Sequence, residues 1–259
     1  MDNAFEPATA ADPATDYFHA EGLADLIAGN SVAKTDDHSV AIAPDIDDLV
    51  RLHQLLRQRR AFTVLEFGIG YSTLVIADAL AKNADDFAAS DAQVELLPAD
   101  AFRVFSVDAS EAWLATAMAR IPNGLRTHVV PTYSPVSAGT FNGQLCHFYD
   151  VLPNTVPDFV YLDGPDPRDI GGCVNGLDFR HRERTVIAGD LLLMEPTFVP
   201  GLMILIDGRT NNARFLANNF RRTYDWVEDP GGDFTIFELV EPPLGERNRA
   251  RLAYCSGAD

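Results

Sequence analysis

Four short apolar runs in this chain each end in an acidic residue beside a turn. Glu66 precedes Gly68 and Gly70 in VLEFGIGYST, Asp108 ends the run in FSVDAS, Asp163 stands in YLDGPDP and Asp207 in ILIDGRTNN. Each run is short, rich in β-branched or aromatic residues and stopped by glycine or a turn, the pattern of a buried strand. In open parallel sheets ligands bind beyond the carboxyl ends of the strands, where strand order reverses. Carboxylates gathered there suit a ligand that carries positive charge or hydroxyl donors. One such residue alone reads as a solvated turn carboxylate; four after four different strands do not. Ser72 and Thr73 follow the glycines at the start of a helical pattern, STLVIADALAKN, where a helix N-terminus would favour an anionic group.

A dinucleotide site would read GxGxxG, with an acidic ribose partner roughly 20 residues further on. Here Thr73 takes the third glycine position, the next strand-ending acid is Asp108, and Glu66 precedes the first glycine. These departures disfavour a nicotinamide-dependent oxidoreductase. VLEFGIGYST, with its E-x-G-x-G core, resembles motif I of class I S-adenosylmethionine-dependent methyltransferases, and FSVDAS resembles their second-strand acidic motif. The resemblance covers about Pro44 to Val240. DFVYLDGPDP and GDLLLMEPTFVPGLMILIDGRTNNARFLANNFRR resemble a bacterial methyltransferase-like group within that superfamily, which points to fold and cofactor more than to a substrate.

The resemblance implies a Rossmann-like, doubly wound, mostly parallel seven-stranded sheet with a C-terminal antiparallel hairpin, and S-adenosyl-L-methionine as cofactor. Gly68 and Gly70 would let backbone approach the methionine part, Glu66 would sit near its amino group, and Ser72 and Thr73 near its carboxylate. Asp108, with Ala109 beside it, would take the ribose hydroxyls. The implied activity is methyl transfer, at oxygen, to a small-molecule or sugar-containing acceptor. A non-catalytic module that senses the cofactor or a metabolite would keep the same residues.

Methyl transfer is an in-line displacement that needs alignment, exclusion of water and, for a protonated acceptor, a base. Asp163 is the first candidate, since the resemblance puts that position opposite the transferred methyl; a turn role in DGP is its alternative. His147, in the 134–157 stretch read as a long substrate loop, offers a near-neutral base, against the ordinary role of a surface or hydrogen-bonded core histidine. Tyr149 and Tyr133 read as packing residues, with an acceptor-stacking and an adenine-lining role as their alternatives. Asp207 raises a divalent cation such as Mg, which related catechol-type enzymes hold with an Asp after strand four and an Asp-Asn pair after strand five. Gly208 in place of that Asn speaks against the metal. Arg209 reads as a partner of Asp163 or Asp207, with holding an acidic acceptor as its alternative, and Asp190 and Glu195 as a cap and an exposed face, with a site carboxylate as theirs.

The elements needed to hold these residues follow in order. PDIDDLVRLHQLLRQRR spaces Ile46, Leu49, Val50, His53 and Leu56 as an amphipathic helix, with acids early and arginines late. FTVLEFG, FRVFSVD, THVVPTY, DFVYLDGP and GLMILIDG read as strands. SEAWLATAMARI opens on Ser110 as a cap, NNARFLANNFRR on asparagine caps. YDWVED, PGGD and FTIFELV read as the closing hairpin, and 85–101 as a polar insertion. Strand and helix in alternation imply a mostly parallel sheet with right-handed crossovers. Residues 1–43 read as an arm, 44–240 as the domain and 241–259 as a tail.

Composition sets the class of partner. With 47% hydrophobic and 22% charged residues the chain reads as an ordinary globular protein, without an apolar run of ~20 residues for a membrane span. Asp and Glu number 38 against 20 Lys and Arg, a formal charge of −18, which disfavours nucleic acid. Three cysteines without CxxC spacing fit reduced thiols, and the opening residues lack a charged n-region and an apolar h-region, so the expectation is a cytoplasmic protein. A homo-oligomer is left open.

Overall fold

The computed structural model describes residues 13–24, 45–97 and 99–257. Of the arm, only α1 (Pro13–Glu21) and the residues just after it fall within these. The amphipathic pattern forms α2 (Ile46–Gln58), capped by Asp45, whose side chain accepts from the Asp47 N–H at 2.9 Å. It buries Leu49, Leu52, His53 and Leu56, one face at helical spacing. There follow β1 (Thr63–Phe67), α3 (Tyr71–Ala89), β2 (Arg103–Asp108), α4 (Glu111–Arg120) and β3 (Val129–Tyr133). Then come β4 (Val136–Phe141), β5 (Gln144–Tyr149), β6 (Phe159–Leu162), β7 (Ile170–Gly171) and α5 (Asp190–Met194). The chain closes with β8 (Met203–Asp207), α6 (Thr210–Asn219), β9 (Tyr224–Asp229), β10 (Phe234–Leu239) and α7 (Gly245–Ser256).

Seven strands form one sheet in the order β3-β2-β1-β6-β8-β10-β9. The first five pair in parallel, and β10 runs antiparallel to both β8 and β9. This is the doubly wound sheet with a C-terminal hairpin that the sequence implies. β1 lies third from one edge, between β2 and β6, with all five residues buried, and strand order reverses between β1 and β6. Because side chains alternate across a strand, Val64, Val104, Phe159 and Leu205 face α2 and α3 on one side. Leu65, Phe67, Val107, Val160 and Leu162 face the opposite layer. Among the described residues no helix is long and apolar enough to cross a membrane.

Three expectations are corrected. The stretch 134–157 is not a long loop. Its first part is a hairpin, β4 against β5, joined through Asn142 and Gly143 at φ 49° and 75°, and β7 adds to β4 in a separate three-stranded sheet. Asn-Gly with both residues left-handed is the two-residue turn whose twist suits a hairpin, so the signal was present in TFNGQL. The insertion is partly helix, since α3 runs to Ala89 and Phe87 packs edge-on against Phe62 at 5.6 Å. The asparagines before FLANNF do not cap α6: Arg209 is its N-cap without a side-chain bond, and Asn212 is buried inside the helix, exchanging two hydrogen bonds with the Ala188 backbone.

The stretch after 240, read as a tail, carries α7, whose Tyr254 stacks on Phe62 at 5.2 Å. Arg251 on the same helix reaches the Asp158 carboxylate at 2.9 Å, and that carboxylate also takes the N–H groups of Phe62 and Thr63 at the start of β1. At the other end of β1, the backbone at Gly68 touches the turn after β6. A Cβ on Gly164 would lie 2.6 Å from the Gly68 Cα and N, and one on Gly68 2.9 Å from the Gly164 N. Gly68 also sits at φ 94°, where side chains are strained. Both neighbours are backbone and cannot swing aside. Gly164→Ala is therefore expected to destabilise the fold by about 2 kcal/mol or more through overpacking, read as a lower urea midpoint at unchanged slope.

Candidate functional site

The centre of the carboxyl-end crevice is a buried carboxylate. Glu66 is fully buried, and its Oε1 accepts the Ser72 hydroxyl at 2.6 Å. Its Oε2 accepts those of Thr73 at 2.7 Å and Ser106 at 2.5 Å. The Thr73 oxygen in turn accepts the Gly70 N–H at 2.9 Å. Burial pushes the Glu66 pKa up to about 7, with the three hydroxyls working against the rise. Ser72 and Thr73 thus turn inward to Glu66, and Glu66 itself holds the turn from beneath. Ser106, which the sequence reading missed, pairs in register with Glu66 across β1 and β2.

Asp108 ends β2 with 8% of its surface exposed. Its Oδ2 accepts the Ile69 N–H at 3.0 Å and its Oδ1 the Ser110 N–H at 2.8 Å. Burial raises its pKa to about 6 against these two donors. Ser110 caps α4 as expected, accepting from the Trp113 N–H at 3.2 Å, and the Trp113 indole donates to the Ile69 carbonyl. Ala109 packs half-buried against the core. The turn 68–70 is held from both sides, yet a Cβ on Gly70 would meet nothing within 4 Å, so its outer face is open.

Across the crevice, Asp163 projects from the end of β6 with 59% of its side chain exposed. Arg209, with Nε 3.9 Å from its Oδ1, favours its ionised form. The same guanidinium donates to the carbonyls of Asp163 and Pro165, so Arg209 pins the turn after β6. Asp207 accepts the Tyr161 hydroxyl at 2.8 Å, and burial lifts its pKa to about 6 with help from the charges of Asp48 and Asp163. Asp48, in the first turn of α2, is a neighbour no strand-end pattern would reveal. Among the described residues three ligand-type side chains gather within 4.8 Å of one another at Glu21, His53 and Asp78, and there the Lys82 ammonium sits 2.7 Å from both carboxylates.

His147 stands on β5, not on a loop, and is fully buried. Neither ring nitrogen has a hydrogen-bond partner among the described residues, and burial pulls its pKa down to about 3, so it is neutral and no near-neutral base. Tyr149, two residues on, packs against Phe67 at 5.8 Å. Asp190 and Glu195 are corrected too: neither is exposed. Asp190 Oδ1 accepts the Tyr149 N–H at 2.9 Å, and Glu195 accepts the N–H groups of Arg221 and Arg222 at 2.8 and 2.9 Å. Tyr133, expected in the core, is 46% exposed at the end of β3.

No family model matches the chain, and no curated protein does. Solved structures overlap with it broadly but loosely. The O-methyltransferase TomG from Streptomyces achromogenes, solved with SAM, is 15% identical over 91% of this chain and 93% of its own, at a TM-score of 0.44. An O-methyltransferase from Bacillus cereus, solved with SAH, is 15% identical over 91% and 94%, at 0.41. SAH-bound methyltransferase PaMTH1 from Podospora anserina is 14% identical over 92% and 100%, at 0.44. Overlap at this level says nothing of what the chain binds, and the chemistry rests on its own residues.

Glu66, Asp108, Asp190 and Asp207 all bind a proton more tightly in the fold than carboxylates ordinarily do. Between the ordinary carboxylate range and about pH 7 these four groups hold more protons than in the unfolded chain, outweighing the one that buried His147 gives up, and stability falls as pH rises through that window, each carboxylate contributing about 1.4 kcal/mol per displaced unit. Urea midpoints are expected to be higher at pH 5 than at pH 7.5, and Glu66→Gln to flatten this rise. An unchanged slope in the variant would mean that Glu66 ionises as an ordinary carboxylate.

Proposed function

We propose that the chain is an S-adenosylmethionine-dependent methyltransferase acting at oxygen on a small-molecule or glycan-type acceptor. The observation that carries this reading is the junction of β1 and β2, where Asp108 holds the Ile69 N–H within the E-x-G-x-G turn at 3.0 Å beneath an open Gly70 face. An ionised carboxylate has about four lone-pair sites, so Asp108, which takes backbone N–H groups of Ile69, Ser110 and Ala109, keeps capacity for a ribose hydroxyl. The N-terminus of α3, a 19-residue helix, favours an anionic group beside Gly70. Glu66 fits a direct contact with an ammonium less well, because its oxygens are taken by three hydroxyls; its part is to shape the turn.

Bound there, the cofactor would supply an electrophilic methyl on a sulfonium. The chain's own part is to orient and to accept a proton. Asp163 is the exposed carboxylate at the end of β6, free to accept a proton from an acceptor hydroxyl. Arg209 keeps that turn in place, and Asp207, tied to Tyr161, supports it from the next strand. A second reading, a cofactor- or metabolite-binding module without turnover, is favoured by the burial of His147, which removes one base from the site.

Calorimetric titration with S-adenosylmethionine and S-adenosylhomocysteine tests the reading. Micromolar binding of both, lost in Asp108→Ala, is expected. With phenolic and sugar acceptors, Asp163→Asn is expected to keep cofactor affinity while losing about 100-fold or more in turnover, the scale of a lost general base. Binding without transfer to any acceptor would favour the binding module; no binding of either ligand would overturn both readings.

A further inference from the structure

The open face at Gly70 belongs to the peptide between Ile69 and Gly70, and that peptide is held at both ends. Its N–H donates to the Thr73 hydroxyl oxygen at 2.9 Å, and its carbonyl accepts the Trp113 indole N–H. The preceding peptide is fixed as well, through the Ile69 N–H on Asp108 Oδ2 at 3.0 Å. A peptide that ends in glycine turns over more readily than others, because no Cβ restricts rotation on that side. A Cβ on Gly70 would meet nothing within 4 Å, so no packed neighbour restrains the peptide there. Its orientation depends on hydrogen bonds, and one of them comes from a separate helix.

Trp113 lies half-buried in the first turn of α4, with its own N–H on the Ser110 hydroxyl at 3.2 Å. Arg120 stands seven residues further on, two turns along the same face of the helix. Its guanidinium carbon is 5.3 Å from the centre of the Trp113 ring and 4.9 Å from that of Tyr71, the first residue of α3. A guanidinium over aromatic faces is attracted by their negative centres. One cation thereby ties Trp113 to the start of the helix that follows the glycine turn.

We propose that Trp113 is a positioning residue for the cofactor: its indole N–H fixes the orientation of the peptide that carries the open Gly70 face, and Arg120 holds the indole in place. This role rests on the reading of the turn as an S-adenosylmethionine site. Loss of the donor lets the peptide turn over, and the ligand then meets a rotated dipole. Trp113 touches no reacting atom, so its effect falls on binding.

The test compares the full chain with Trp113→Phe, which keeps a ring for Arg120 and removes the donor. Without ligand, hydrogen exchange of the Gly70 amide, followed by NMR, is expected to be about ten-fold faster in the variant, with the Leu65 amide of β1 unchanged. Calorimetry should show S-adenosylmethionine and S-adenosylhomocysteine each bound about ten-fold more weakly, the scale of one lost hydrogen bond. Arg120→Met, a second variant outside the turn, should weaken both about three-fold, and Arg120→Lys, which keeps a cation over the rings, should restore most of that loss. Trp226→Phe, on the edge strand, should change neither exchange nor binding. Equal Gly70 exchange in the two chains, exchange that rises alike at Gly70 and Leu65, or binding as tight in Trp113→Phe as in the wild type overturns this role and leaves the cofactor reading standing. A wild-type chain that binds neither ligand overturns the cofactor reading and this role with it.

Discussion

The ligand end of this protein is organised around one buried carboxylate. Removing Glu66 from water is costly unless its lone pairs are filled, and three hydroxyls fill them: Ser72 and Thr73 from the first turn of α3, Ser106 from β2. The helix start and two neighbouring strands are thereby tied to one group. Thr73 passes the constraint on by accepting the Gly70 N–H. Since an unmet buried donor or acceptor costs more than a typical hydrogen bond gains, the arrangement holds as a unit. The glycine turn owes its shape to an interaction beneath it, and its upper surface is left free for a ligand.

A second constraint acts across the point where strand order reverses. Gly68 and Gly164 bring the turns after β1 and β6 into backbone contact, which no side chain at either position would allow. Arg209 closes the same turn by donating to two of its carbonyls. The crevice thus has a rigid seam between its Asp108 side and its Asp163 side. At the far end of β1, Asp158 performs a similar service, gathering two backbone N–H groups and Arg251 on one carboxylate. β1 is clamped at both ends, by carboxylates that also join it to α3 and α7.

How much of this could be read beforehand differs by residue. Glu66, Gly68, Gly70 and Asp108 were legible because a strand that stops at glycine and a strand that stops at an acid are local patterns, and β1 and β2 lie where those patterns put them. The hairpin at Asn142-Gly143 was equally local, but the stretch around it was read as a loop because its strands alternate weakly. Ser106 could be linked to Glu66 only through the register of two strands 40 residues apart. Asp48 reached the site through the packing of α2, which is not a sequence pattern, whereas Arg209, expected as a partner of Asp163 or Asp207, lies beside Asp163.

Residue type and short-range spacing are enough to place the alternation of strands and helices, the strand ends that carry carboxylates, and the overall acidity. Which of those side chains face the ligand end of the sheet follows from packing between distant segments. That packing turned Ser72 and Thr73 inward, buried His147, Asp190 and Glu195, and left Asp163 in reach of solvent. The physical reason is that burial and hydrogen-bond partnership belong to a side chain's three-dimensional surroundings, and for ionisable and polar groups those surroundings set both charge state and role.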